Sequence, residues 1–374
     1  MSRVTFRGRL NLRKDQLDFE AGTIALAQTK AGRPQVVVIN APARQVLKEL
    51  LATVPESSPR GAPMLEASVI VCAHNPRPDY LLRVLGALRD QSLGLDEWEL
   101  LLVDNASDDP LACGNWDLSW HPHARHVRGE ELGLAPARLR GMREAKAPDL
   151  LVFVDDDNVL DRDYLREAVR IRREWPILGT WGNGKTLPEY EVVSPVHLRQ
   201  FMYMLALRDV STPHWSNVIP CAGALPWGAG QCVRTKVAAA YRDYVAKPGI
   251  RMTDRRGNAL SSGGDVEIGF VSCRMGLGVG IFPDLKLTHL IPKERLTEDY
   301  LVRLAEGTAT SAQLLEYSWE NVEPKSPFSG PIGLARVLKN LLSRKGIDRR
   351  MYLAGLPAKR RARAIIFEQV NNIG

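Results

Sequence analysis

The run Leu150-Leu151-Val152-Phe153-Val154, followed by Asp155-Asp156-Asp157-Asn158, constrains this chain more than any other stretch. Five apolar residues, two of them β-branched, predict a buried strand. Three carboxylates at its C-terminal end have no apolar use. Side chains alternate faces along a strand, so Asp155 and Asp157 share a face and Asp156 takes the other. Two like charges about 4 Å apart, at an effective dielectric of about 20, repel by about 4 kcal/mol. A divalent cation removes that repulsion, and oxygen ligands of this kind suit Mg²⁺ or Mn²⁺. Strand ends in an open α/β sheet are also where ligands bind. The competing reading is a solvated acidic turn.

A β/α alternation surrounds this run. Ser68–Cys72 and Trp98–Val103 read as apolar strands, with a short third at His126-Val127. Arg77-Pro78-Asp79 opens a helix with Leu81, Leu82, Leu85 and Leu88 on one face. Gly133–Lys146 and Asp163–Trp175 also read as helices. Strands spaced by helices predict an α/β fold with a mostly parallel central sheet and helices on both faces. Past Trp175 the pattern loosens. Strands are predicted at Ile177–Trp181, Val279–Phe282 and Leu285–His289. Helices are predicted at Thr235–Tyr244, from Asp265 to near Gly276, and at Glu298–Tyr317. The stretch Pro188–Pro226 is irregular, with many aromatics and prolines.

The ends of the chain differ from this centre. Residues 1–54 read as a small α/β leader, with strands at Arg3–Leu10, Thr23–Gln28 and Gln35–Ile39 and a helix at Ala41–Val54. Residues 55–65, rich in proline and serine, read as a linker. From Gly330 onward the chain carries ten Lys and Arg, Arg336 and Lys339 among them, against Asp348 and Glu368. Two amphipathic helices are predicted there. Their basic faces either meet solvent or touch an anionic membrane, where each cation contributes about 1 kcal/mol. Few aromatics interleave with the charges, so nucleic acid is not expected.

Composition narrows the class. The 374 residues are 45% hydrophobic and 25% charged, as in ordinary soluble proteins. The formal net charge of +7 fits anionic partners without choosing among them. The five cysteines (Cys72, Cys113, Cys221, Cys232 and Cys273) are scattered without a CxxC pair. That argues for free thiols in a reducing compartment and against a zinc cluster. Neither a signal peptide nor a run of about 20 apolar residues is visible. A cytoplasmic protein, peripheral at the inner face of a membrane, is the expectation.

Five stretches, in this order, resemble the inverting family-2 glycosyltransferases, whose fold is called GT-A. They are Val69-Ile70-Val71-Cys72-Ala73-His74-Asn75, Val103-Asp104-Asn105-Ala106-Ser107-Asp108-Asp109, Gly133-Leu134-Ala135-Pro136-Ala137-Arg138-Leu139-Arg140-Gly141, Asp155-Asp156-Asp157 and Gly264-Asp265-Val266-Glu267. The resemblance covers residues 66–305, leaving 306–374 as a basic helical extension. It departs from the family pattern at Gly264, where an acidic residue is usual, at Leu139, and at Cys72-Ala73-His74 in place of Pro-Thr-Tyr.

The resemblance implies a metal-dependent transfer. The donor is a nucleotide-sugar, of the UDP class, and the acceptor a hydroxyl of a saccharide or lipid-linked saccharide. It implies Mn²⁺ or Mg²⁺ held by Asp157, with Asp155 on the ribose or the metal and His289 completing the shell. Asp104 accepts from a base N–H. Ala73, Asn75 and Asp156 flank the nucleotide, and Arg138 binds an anion by its fork. Asp265 is the base that takes the acceptor proton. Trp227, Gly228 and Glu267 shape the acceptor site. Bland readings stand beside these: a helix arginine at 138, an N-cap at Asp265, a core ring at Trp227, a structural His289. Arg295 and Arg303 follow within reach of the diphosphate, with surface placement the favoured reading.

Two other classes compete. Asp155-Asp156-Asp157-Asn158-Val159 matches the Asp-x-Asp-x-Val/Thr start of haloacid-dehalogenase-type phosphatases, with Asp155 as nucleophile. That motif belongs on a first strand, whereas three predicted strands precede it here. The other is a non-catalytic GT-A-like module that binds nucleotide.

Overall fold

A computed structural model describes residues 65–371, apart from 115, 222, 250–251, 253–262, 325–327 and 329, together with three short strands nearer the N-terminus. The chain divides into two compact units, Met1–Ala62 and Pro63–Gly374. In the first, β1 (Leu17–Asp18), β2 (Thr23–Leu26) and β3 (Gln35–Val38) pair antiparallel. The strand expected at Arg3–Leu10, the helix at Ala41–Val54 and nearly all of the 55–65 linker lie outside the described residues.

The second unit opens with the predicted alternation: β4 (Ala67–Ala73), α1 (Pro78–Arg89), β5 (Trp98–Asn105), β6 (Ala124–Gly129), α2 (Leu134–Glu144) and β7 (Leu150–Asp155). Next come β8 (Asn158–Leu160), α3 (Tyr164–Glu174), β9 (Leu178–Tyr190), β10 (Arg208–Asp209), β11 (His214–Ser216) and β12 (Cys232–Arg234). Then follow α4 (Thr235–Ala246), α5 (Gly264–Arg274), β13 (Gly278–Ile291), α6 (Glu298–Glu320), α7 (Gly330–Ser343), α8 (Gly346–Gly355) and α9 (Ala358–Asn371).

The strands are apolar runs because both sheet faces are covered. Val69, Val71, Leu100 and Val152 share one core with Leu81 and Leu85 of α1 and Leu165 of α3. Ile70, Leu101 and Phe153, one residue out of step, meet Met142 of α2, Val237 of α4 and Ile268 of α5 on the other face. Polar groups are buried with them, Glu99 and Ser68 among them. Glu99 accepts from Ser68 Oγ at 2.5 Å and from Arg125 at 2.6 Å, which meets its need for partners.

The sheet runs β11-β13-β9-β12-β7-β4-β5-β6, with β10 on β9 and β8 on β13. β4 pairs parallel with β5 on one side and β7 on the other. Chain order therefore reverses at β4, and the C-terminal ends of β4 and β7 open a crevice at the switch point. The register sets Cys72 opposite Asp155. β12 lies antiparallel between β7 and β9, so the sheet is mixed beyond its parallel half.

β13 is one strand of 14 residues where two were predicted. Its register against β9 shifts between Phe282 and Lys286, around Pro283, which has no N–H to donate. The end of β13 pairs with β8, and this sets His289 opposite Asn158. A 3-10 segment at Val196–Leu205 packs Leu198, Phe201 and Leu205 against Ile291 and against Leu301 of α6. α6 runs unbroken through position 305. Arg350 of α8 pairs with Glu298 and Asp299 at its start.

Candidate active site

A cavity of about 270 Å³ opens at the switch point. Ala73 at the end of β4 and His74 beyond it, Asn105 at the end of β5, Gly133 and Leu134 at the start of α2, and Asp155 at the end of β7 with Asp156 and Asp157 beyond it line the cavity. Arg295 closes it from the 3-10 turn at Lys293–Leu296. The helix N-terminus of α2 at this wall favours an anion. Asp156 reports the local charge. Its carboxyl is pushed up to about 8, by desolvation first and then by the negative charges of Asp157 and Asp155.

Asp157 is buried. Its Oδ1 accepts from Asn158 Nδ2 at 2.5 Å, and its Oδ2 lies 2.9 Å from Arg295 Nη1 and 3.5 Å from His289 Nε2. His289 Nδ1 lies 3.0 Å from the carbonyl oxygen of Leu205. A carbonyl only accepts, so Nδ1 carries the proton and Nε2 keeps its lone pair. Arg295 donates to that lone pair at 3.1 Å. The carboxylate and the imidazole nitrogen thus converge on one point, with an arginine cation against both.

Among the described residues, no three His, Cys, Asp or Glu side chains form a ready cage for a metal. Mg²⁺ and similar ions are commonly held by one or two carboxylates plus substrate phosphates. The donor set here, Asp157 with His289 and Asp155 nearby, fits that mode. The Leu205 carbonyl behind His289 is the kind of outer partner that orients a metal-binding imidazole.

Asp155 lines the same cavity and has an arginine partner of its own. Arg138 of α2, buried, donates from Nη2 to Asp155 Oδ1 at 3.2 Å. The Arg138 guanidinium also lies against Gly228, where an added Cβ would run into it. The Gly228 amide donates to Asp265 Oδ2 at 2.7 Å, and the Val266 amide donates to Oδ1 at 2.9 Å. Asp265 therefore sits in the first turn of α5, held toward Gly228. Asp155, Arg138, Gly228 and Asp265 form one contiguous row.

Trp227 is half-buried, and Arg208 of β10 stacks 3.7 Å from its ring centroid. Burial pulls the Arg208 guanidinium down to about 10, against the opposing charge of Asp265. Glu267 is fully buried and accepts from Tyr244 at 3.2 Å, behind α5 and away from solvent. It supports the helix that carries Asp265.

The nucleotide-side residues divide. Ala73 lines the cavity. Asn75, in the left-handed region at φ 45, ties two loops together: it donates to Asp108 Oδ2 at 2.9 Å and accepts from the Asp108 amide at 3.0 Å. Asp104 does not line the cavity. Its oxygens accept from the amides of Ser107 at 2.9 Å and Leu111 at 3.0 Å and from Arg128 at 2.6 Å. Asp104 shapes the loop after β5, and the neighbouring Asn105 reaches the cleft. Arg295 was expected on the surface and instead stands in the cavity. Its signal was position, six residues beyond His289 across a short turn. His74 also lines the cleft, and its Nδ1 donates to the Asn105 carbonyl oxygen at 2.8 Å.

A cleft at the switch point of a mixed α/β sheet is where such folds bind ligands. Residues 68–183, from β4 through Asp157 into β9, match the family model Glycosyl transferase family 2. Over 243 residues it is 24% identical to Polypeptide N-acetylgalactosaminyltransferase 14 from Homo sapiens, covering 61% of this chain and 41% of that protein. The chain thus spans about two fifths of that relative's length. Among solved structures, S. aureus TarS 1–349 is similar at a TM-score of 0.43 and 14% identity, covering 82% of this chain and 89% of that one. GalNAc-T7 with UDP, GalNAc and Mn²⁺ is similar at a TM-score of 0.44 and 14% identity, covering 74% and 60%.

Proposed function

We propose that this chain transfers a sugar from a nucleotide-sugar, of the UDP class, to a hydroxyl of a saccharide or lipid-linked saccharide, with inversion. One observation carries the reading. Segments far apart in sequence meet through Asp155, Arg138, Gly228 and Asp265, beside the cleft that holds Asp157, His289 and Arg295. A leaving group and a waiting base need that adjacency.

The nucleotide lies along Ala73, His74 and Asn105, with Asn75 fixing the loops that flank it. Its diphosphate meets the N-terminus of α2 and Arg295. Asp157 and His289 would hold Mn²⁺ or Mg²⁺ together with phosphate oxygens, with Asp155 assisting. Such an ion supplies neutralisation of the charge on the departing diphosphate. Asp265 accepts the proton of the acceptor hydroxyl as its oxygen attacks the anomeric carbon. Attack opposite the diphosphate inverts configuration and requires no covalent intermediate. Trp227, held by Arg208, offers a flat apolar face to the acceptor sugar. The phosphatase reading gains no support: β7 follows three strands of its sheet, and Asp155 is engaged by Arg138.

In this proposal the catalytic domain spans 66–305, with 1–54 accessory and 306–374 an extension that rests on the cytoplasmic face of an anionic membrane. Ile332, Leu334, Leu338 and Leu342 of α7 are all exposed, the three leucines at four-residue spacing and therefore along one stripe. Arg336 and Lys339 accompany them. No helix among the described residues is long and apolar enough to cross a membrane.

The test is a turnover screen with UDP-, GDP- and dTDP-sugars in Mn²⁺, using wild type and Asp265→Asn. UDP-sugar turnover in wild type, lost by at least a hundredfold in the variant, is expected. Background turnover in both would leave only a binding module.

A further inference from the structure

The loop that leads to Trp227 and the helix that carries Asp265 meet a second time, at a pair of thiols. Cys221 sits in a turn closed by its own amide donating to Val218 O at 2.7 Å and by the Ala224 amide donating to Cys221 O at 3.1 Å. Cys273 lies in the last turn of α5. Their sulfurs are 3.4 Å apart, and both cysteines are free. A disulfide needs a separation of about 2 Å, which small side-chain rotations supply when the sulfurs already touch. Cys221 is 1% exposed, whereas Cys273 is half-buried and open to a reagent. The thiol of Cys221 holds that of Cys273 below the ordinary cysteine value against the opposing effect of burial, which favours Cys273 as the attacking thiolate. Cys72 and Cys232 are buried, and burial pushes the Cys72 thiol up to about 12.

We propose that Cys221 and Cys273 are an oxidation site, converted to a reversible disulfide by a small-molecule disulfide of the glutathione type. The Cys273 thiolate attacks one sulfur of oxidised glutathione, breaking its S–S bond and releasing one glutathione thiolate. Cys221 then loses its proton and attacks the Cys273 sulfur, releasing the second glutathione. Two electrons pass from the protein thiols to the reagent. The new bond joins the same two segments that the Gly228–Asp265 hydrogen bond joins, so it clasps the turn before Trp227 onto α5. The inference does not rest on the transfer reaction.

The test incubates the full chain with oxidised glutathione, unfolds it in the presence of N-ethylmaleimide and maps the peptides without reduction. Three of the five cysteines should alkylate, and one cross-linked peptide should pair Cys221 with Cys273. Amide exchange over residues 223–228 should slow in the oxidised form, and dithiothreitol should reverse both effects. Cys273→Ser should abolish the cross-link, and Cys113→Ser should retain it. Should Cys221→Ser fail to fold, Cys273→Ser on the half-buried helix face serves alone. Alkylation of all five thiols, a persistent glutathione adduct without a cross-link, or a covalent dimer through Cys113 would each overturn the proposal.

Discussion

His289 stands opposite Asn158 in the β8–β13 pairing, and its Nε2 lies 3.5 Å from the Asp157 carboxylate. Residues 132 positions apart are thus fixed as a pair by sheet register, and the Leu205 carbonyl fixes the tautomer. His289→Ala should weaken Mn²⁺ binding in the presence of a nucleoside diphosphate by about 10–100-fold, the range for groups that tune a metal site. Mn²⁺ titration followed by electron paramagnetic resonance checks this. An unchanged affinity would remove His289 from the site.

Gly228 has no room for a side chain on the Arg138 side. Gly228→Ala should cost about 1–3 kcal/mol, as overpacking does. It should lower turnover further, because the same residue positions Asp265. Shortening the neighbour in Gly228→Ala/Arg138→Ala should relieve the clash, so the two changes should couple by about 0.5–3 kcal/mol in thermal melts. Additive melting shifts would show that the two residues do not press on each other.

Asp104 shows a pH dependence with a defined sign. Burial alone would raise its carboxyl, but the amides of Leu111 and Ser107 and the Arg128 guanidinium outweigh it and hold it below 3.8. A lowered acid stabilises the fold above its unfolded value and loses that contribution as pH falls through the folded one. The Asp104 contribution should therefore be constant near neutrality and fade only below 3.8. Asp104→Asn should destabilise by about 2 kcal/mol at neutral pH. It should also flatten the acid limb of urea midpoints, with donor affinity affected through the loop after β5.

Leu338 and Leu342 are exposed at 51% and 83% on α7. Replacing both with glutamate removes apolar contact and reverses the local charge. Cosedimentation with phosphatidylglycerol vesicles should fall by tenfold or more, and neutral phosphatidylcholine vesicles should bind neither form. Equal pelleting with both lipids would refute an anionic surface as the partner.

Much of the fold was legible because its central strands are unbroken apolar runs. Leu150–Val154 lengthened by one residue into β7, and Ser68–Cys72 and Trp98–Val103 by two residues each into β4 and β5. The missed elements carry signals that periodicity does not read. β12 is three residues long and ends in Arg234, a charge buried by bonds to Leu178 O at 2.7 Å and Asp149 at 2.7 Å. β9 was foreseen only at its start, because glycines and a lysine interrupt its later residues. In the site, the carboxylates and His289 were visible as residue types. Arg295 and the loop role of Asp104 depend on where turns aim side chains, which spacing alone does not encode.

The account depends most on Asp157 as the carboxylate that couples a cation to the donor diphosphate. Titration calorimetry of UDP into the protein with and without Mn²⁺, for wild type and Asp157→Ala, tests this directly. The account predicts Mn²⁺-dependent binding in wild type, and an affinity in the folded variant at least a hundredfold weaker and indifferent to Mn²⁺. Equal, Mn²⁺-dependent affinity in both proteins would contradict it.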